Sequence, residues 1–220
     1  MIVELKGHRV ALLPQKALMF VDDRILVISD AHLGKVNHFR RSGIPVPSKA
    51  NTQNTETLIQ LIQTHKPVRV VFLGDLFHSY YNEEWEVMRQ ITNHFVAIRF
   101  QLILGNHDVL SPLQYERTGM SVHDELNMNG ILLTHEPLKK NDDNRFNLAG
   151  HIHPGVRLSG RGRQALTLPC FYFNHSLGLM PAFGTFTGLA RIAVKKEDRI
   201  YVIADGKVMQ VNGQKNEMHA

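Results

Sequence analysis

Cysteine is almost absent from this chain, and so is any long apolar run. Cys170 is the single cysteine in 220 residues, so no internal disulfide can form, and a reducing compartment is expected. No stretch approaches the 18 or so consecutive apolar residues that a membrane-spanning helix needs. The first ten residues, MIVELKGHRV, carry charges throughout and lack the apolar segment of a signal peptide. These absences predict a cytoplasmic protein with no membrane partner. Internal repeats and low-complexity segments are missing too. Charge of neither sign dominates: Lys and Arg number 25 against 20 Asp and Glu, giving a formal net charge of +5. With an isoelectric point near 9.4, a polyanionic partner is compatible with the chain but not required by it.

What is present is an ordinary globular composition, long enough for one substantial core, and 13 histidines. A single domain over residues 1–220 is expected, with a frayed tail at 212–220. The opening residues alternate around Lys6-Gly7 and read as a hairpin. RILVIS (24–29), VRVVFLGD (68–75) and VAIRFQLILG (96–105) are short apolar runs of the kind that form strands covered on both faces. Between them, Leu58, Ile59, Leu61 and Ile62 fall at helical spacing before Pro67, and NEEWEVMRQITNHF (82–95) opens with acids that suit a helix N-terminus. The first half is therefore strand, helix, strand, helix, strand, a layer that gathers ligands at the carboxyl ends of its strands. The second half changes character. Asn129-Gly130 and Asp205-Gly206 sit between apolar runs as hairpin turns, predicting a second, mostly antiparallel sheet packed on the first. Phe171, Tyr172 and Phe173 read as strand core, and Cys170 as a small buried residue without a catalytic role.

Polar residues stand where these strands end. LGNHD ends one run with Asn106, His107 and Asp108; SDAHLGK places Asp30 and His32; LGDLFHS places Asp75; LLTHE places His135; and LAGHIHPG places His151 and His153. Alone, an Asp or Asn after a strand is ordinarily a turn or capping residue, and a lone His is ordinarily half-buried and hydrogen-bonded. Five separate strand ends that all carry N or O donors are better explained by one shared metal site. Carboxylates, imidazoles and an amide oxygen, with no thiolate, suit Mn²⁺, Fe or Zn²⁺. The donors outnumber what one tetrahedral ion takes, which predicts two ions sharing a bridging carboxylate.

In order and content these segments resemble the motifs of the calcineurin-like metallophosphoesterases: Asp30-Ala-His32, Gly74-Asp75, Gly105-Asn106-His107-Asp108, His135 and Gly150-His151-Ile-His153. The resemblance implies an α/β (α+β) fold, the four-layer αββα sandwich of two packed sheets. It implies two divalent ions, Mn²⁺ first among the candidates, one held by Asp30, His32, Asp75 and His153 and the other by Asp75, Asn106, His135 and His151. Further segments, among them DAHLGKVNHFRRSGIPVP, GHIHPGVRL and LMPAFGTFTG, resemble the bacterial subfamily of ligase-associated DNA damage response endonucleases. The activity implied is hydrolysis of a phosphodiester, in DNA as part of repair, with a DNA ligase and a helicase as associated proteins. A bridging hydroxide attacks phosphorus, and His107 stabilises or protonates the leaving oxygen while Asp108 orients His107, unless Asp108 is a simple turn acid. Lys35, Arg40, Arg41, His78 and Arg157, with Arg161 and Arg163, are candidates for holding backbone phosphates. Tyr80 and Tyr81 either line the pocket or pack. The competing readings are a phosphodiesterase or pyrophosphatase for small nucleotides, and a non-catalytic scaffold, which the complete donor set and His107 disfavour.

Overall fold

The computed structural model describes residues 1–34, 49–77, 83–139, 145–159, 165–185 and 187–211. Its first sheet has seven strands in chain order: β1 (Ile2–Leu5), β2 (His8–Leu13), β3 (Ala17–Phe20), β4 (Ile25–Ile28), β5 (Arg69–Leu73), β6 (Arg99–Ile103) and β7 (Met120–His123). β1 to β4 run antiparallel and β4 to β7 parallel. The parallel half needs crossovers, and these carry α1 (Lys49–His65), α2 (Glu83–His94) and α3 (Pro112–Glu116). The Lys6-Gly7 turn, with φ of 47° and 82°, closes the β1–β2 hairpin as the sequence predicts. β3, whose four-residue ALMF stretch carries no alternation to mark it in the sequence, extends this meander.

Alternation along the strands assigns the two faces of this sheet. Leu26 and Ile28 of β4, Val70 and Phe72 of β5 and Leu102 of β6 join Leu58, Leu61, Trp85, Met88 and Tyr115 from the three helices in one cluster. Ile25, Val27, Val71, Leu73 and Ile103 point the other way, into the seam with the second sheet.

The second sheet has nine strands: β8 (Leu126–Met128), β9 (Ile131–Thr134), β10 (Phe146–Ala149), β11 (Pro154–Ser159), β12 (Ala165–Phe173), β13 (Leu177–Leu179), β14 (Ala190–Arg191), β15 (Arg199–Ala204) and β16 (Lys207–Val211). Asn129-Gly130 and Asp205-Gly206 turn at positive φ between β8 and β9 and between β15 and β16, as expected. Most ladders are antiparallel, but β9, β10 and β13 pair in parallel, so the sheet is mixed. Ile131, Leu133, Phe146, Leu148, Phe171, Phe173 and Tyr201 face the first sheet. The opposite face carries Val156, Cys170, Tyr172, Ile200 and Val202. The sandwich is thus helices, sheet, sheet and an outer apolar cluster; among the described residues the helices all pack on the first sheet. No described helix is long and apolar enough to cross a membrane.

The parallel strands matter most. β4, β5 and β6 in one sheet and β9 and β10 in the other deliver the five polar segments from their carboxyl ends, the position expected of ligand sites in such sheets.

Candidate metal centre

Each polar segment is held by the core directly beneath it. After β5 the chain runs Gly74-Asp75-Leu76-Phe77; Leu76 and Phe77 are fully buried, and Phe77 stacks on Trp85 with ring centroids 4.0 Å apart. Burying a Phe side chain contributes about 1.5–3 kcal/mol, so the segment bearing Asp75 is anchored from its far side. The segment after β4 lies alongside it: His32 N–H donates to the Asp75 carbonyl at 2.9 Å and Leu33 N–H to the Leu76 carbonyl at 2.8 Å. Asp30 and Asp75 therefore emerge side by side.

The side chains form two donor groups. Asp30, His32 and His153 supply donor atoms within 4.8 Å of one another, and Asp75, His135 and His151 do the same. Asp75 joins the groups, its Oδ2 lying 3.7 Å from His32 Nε2 and its Oδ1 3.5 Å from His135 Nε2. Asn106 belongs with the second group, its Oδ1 being 3.0 Å from His135 Nε2. Asp30 Oδ1 is 3.2 Å from His153 Nε2, while its Oδ2 accepts the Ser29 hydroxyl and the His151 N–H. Burial raises the Asp30 carboxyl, but the His153 and Ser29 hydrogen bonds outweigh it and leave the group below the usual carboxylate range.

The donor set fits divalent cations. His135 Nδ1 donates to the Leu73 carbonyl at 2.8 Å, which leaves Nε2 with its lone pair aimed at Asn106 Oδ1, Asp75 Oδ1 and His151 Nδ1, the last 3.1 Å away. N and O atoms gathered so closely can all turn lone pairs on a cation placed among them. Seven hard and borderline donors without a thiolate match Mn²⁺, Fe or Zn²⁺.

The backbone is committed to this arrangement. Asp30, His32, Asp75, His151 and His153 all have positive φ, between 45° and 64°, a conformation costly for side-chain-bearing residues and found where surrounding structure enforces it. Gly150 lets the two sheets meet: a Cβ there would overlap Ser29 Oγ and lie 2.7 Å from Asp30 Oδ2. A Cβ on Gly105 would overlap the Asp75 carboxylate in the same way.

His107 is half-buried at the mouth. Its backbone N–H donates to Asp75 Oδ1 at 2.9 Å, and its ring centroid is 5.3 Å from that of His32, edge to face. Asp108 is tied to the backbone around it. It is buried, and its carboxylate accepts N–H groups of Gly105 at 3.0 Å, Leu76 at 3.2 Å and Phe77 at 3.4 Å. That is the work of a turn acid, tying the loop after β6 to the segment after β5. Burial pushes the Asp108 carboxyl up to about 6, against the pull of those amides.

The remaining sequence candidates divide. Arg157 is exposed on β11, four residues past His153. Lys35, Arg40, Arg41, His78, Tyr80, Tyr81, Arg161 and Arg163 lie outside the described residues. Sequence reasoning missed three supports: Ser29, the Leu73 carbonyl, and the late segment in which Phe183 and Gly184 N–H groups donate to the Ser29 and Asp30 carbonyls at 2.8 and 3.1 Å. Only Ser29, adjacent to Asp30 at the strand end, carried a local signal.

A two-sheet sandwich whose strand ends hold joined, cation-ready donor groups is the build of a metal-dependent phosphoesterase. The calcineurin-like phosphoesterase family model matches residues 23–169, more than half of the chain, and the chain belongs to that family, which implies a dinuclear divalent metal centre. Among solved structures it is similar to the Pseudomonas putida nuclease MPE, with 29% sequence identity and a TM-score of 0.80 over 96% of this chain and 99% of that one. It also matches YfcE, a phosphoesterase from E. coli, at 14% identity and a TM-score of 0.45, over 86% of this chain and 98% of that one. No curated protein matches the chain significantly.

Proposed function

We propose that this protein is a two-metal phosphodiesterase that cleaves DNA, a single-domain, cytoplasmic endonuclease serving repair, with Mn²⁺ as its native metal. The observation that supports it most is the placement of Asp75 between the two donor groups, within 3.7 Å of His32 and 3.5 Å of His135. Asp30, His32, Asp75 and His153 hold one ion; Asp75, Asn106, His135 and His151 hold the other. Similarity over nearly the whole chain to a nuclease favours nucleic acid as the substrate over a small nucleotide. By family resemblance a DNA ligase and a helicase are the associated proteins.

A bound pair of cations supplies Lewis-acid polarisation of the phosphoryl oxygens and a water acidic enough to react near neutral pH. The chain's own residues do the rest. Asp75, fixed by Leu76 and Phe77 below it, sets the spacing of the two donor groups. His107 stands at the open side beside His32, where as an imidazolium it stabilises or protonates the oxygen that leaves phosphorus. Its position is set by its own N–H on Asp75 and by the Asp108 clamp. The test is an assay of Mn²⁺-loaded protein and its His107→Ala variant on a phosphodiester, a phosphomonoester, single-stranded DNA and duplex DNA. DNA cleavage that collapses in the variant supports the reading; cleavage confined to nucleotide-sized diesters, or a fully active variant on DNA, overturns it.

A further inference from the structure

β11 leaves the metal centre and becomes something the catalytic site does not need. Pro154 and Gly155, directly after His153, pair on one side with β14 at Ala190 and Arg191, and from Gly155 onward the strand pairs on the other with β12. Beyond Gly155 the β14 ladder ends. β12 in turn pairs with β15 only from Cys170 onward. Among the described residues, then, Val156–Ser159 and Ala165–Leu168 pair only with each other, in the register Val156–Leu168, Arg157–Thr167, Leu158–Leu166 and Ser159–Ala165. Burial records the same change. Residues 154–156 are buried, whereas Arg157, Ser159, Ala165 and Leu166 are exposed, on both faces of the pair. A two-stranded ribbon thus extends past the body of the sheet by about four residues, or roughly 13 Å at the rise of an extended strand.

The ribbon is two-faced. Val156, Leu158 and Leu168 lean into the outer apolar cluster. Arg157, Ser159 and Thr167 take the opposite face, together with Gly155, whose missing side chain leaves room for Leu189 and Thr167. Arg191 is exposed and pairs with Gly155, which puts its side chain on that polar face, one strand over and two residues short of Arg157. Two guanidinium groups therefore share one solvent-facing strip, with Arg157 four residues beyond a proposed metal ligand, His153. A small diester held at the metals does not extend that far. A chain of phosphates does, and Arg is the side chain whose fork suits phosphate oxygens.

We propose that this polar face, with Arg157 and Arg191, binds the sugar–phosphate backbone of the polynucleotide that flanks the scissile bond. The proposal rests on the phosphodiesterase reading for its substrate class and makes the ribbon the element that selects a polymer over a nucleotide. Contacts of this kind add affinity without reading bases, and each phosphate neutralised steepens the salt dependence of binding by about one unit of log Kd per log salt.

The test reads binding and is independent of turnover. Fluorescence anisotropy of a labelled single-stranded oligonucleotide is followed against salt for the wild type, for the Arg157→Glu/Arg191→Glu and Arg157→Lys/Arg191→Lys pairs, and for Leu166→Ala on the other face. The expected result is a loss of tenfold or more in the Glu pair, a salt slope shallower by about two, substantial recovery in the Lys pair, and less than a twofold change for Leu166→Ala. A Glu pair within twofold of the wild type, Lys variants as weak as Glu variants, or wild-type protein that does not bind the oligonucleotide overturns the proposal. A protein that binds as described yet hydrolyses no phosphodiester overturns the catalytic reading and leaves the ribbon assignment standing.

Discussion

The backbone N–H of His107 donates to Asp75 Oδ1 at 2.9 Å, so the residue proposed to meet the leaving group is tied to the carboxylate that joins the two donor groups. The link is made by the main chain and survives replacement of the side chain at 107 by any residue but proline. His107→Ala should therefore bind two ions with unchanged affinity while losing about 10²–10⁴-fold in rate on an unactivated phosphodiester. Metal titration beside steady-state kinetics checks both halves, and a diester with a good leaving group should suffer far less.

Asp75→Ala removes the side chain proposed to serve both groups. Uptake should fall from two ions to none or one weakly held, and hydrolysis to background, as measured by metal analysis of dialysed protein. Retention of two tight ions would contradict the bridging role.

Gly150→Ala tests the contact between sheets. Its Cβ would overlap Ser29 Oγ and crowd Asp30 Oδ2 at 2.7 Å, and both partners are fully buried. The expected outcome is selective loss of the ion held by Asp30, with activity down at least 10²-fold, since misplacing a reacting group by about 1 Å costs that much.

Asp108→Ala leaves three loop N–H groups without their acceptor. A loss of about 1–3 kcal/mol is expected, or some 2–12 °C in Tm for a protein of this size, with kcat lowered because the loop carrying Asn106 and His107 loosens. Asp108→Asn keeps an acceptor oxygen and should recover part of both. Equal Tm values for wild type and Ala variant would exclude the clamp.

Chelation should lower Tm, and readded Mn²⁺ should restore it. A ligand at a hundred times its Kd stabilises by about 2.7 kcal/mol, several degrees here. Scanning calorimetry with and without chelator measures it.

The sequence made these residues legible only together: each donor follows an apolar run, and five strand ends that all carry donors point to a shared site where any one alone reads as a turn or capping residue. β4, β5 and β6 and the helices between them were readable for the same reason, as was the burial of Phe171 and Cys170. What escaped was chemistry borne by backbone. The Leu73 carbonyl that sets the His135 tautomer, and the Phe183 and Gly184 amides that brace Ser29 and Asp30, leave no mark in side-chain identity. Asp108 was ambiguous because an acid beside a histidine reads equally as partner or as turn residue, and the amides of Gly105, Leu76 and Phe77 that it accepts leave no mark in the sequence. β3 went unread because ALMF is too short to show a period.

Both donor groups draw on both sheets: Asp30 and Asp75 follow strands of the first, while His135, His151 and His153 follow strands of the second. An ion in either place is consequently a rivet through the two halves of the sandwich, fastening them at the rim where their apolar seam runs out. The catalytic centre and the mechanical closure of the molecule are then a single object, and stripping the metal should unfasten that rim, opening it to proteases and to amide exchange, before the interior melts.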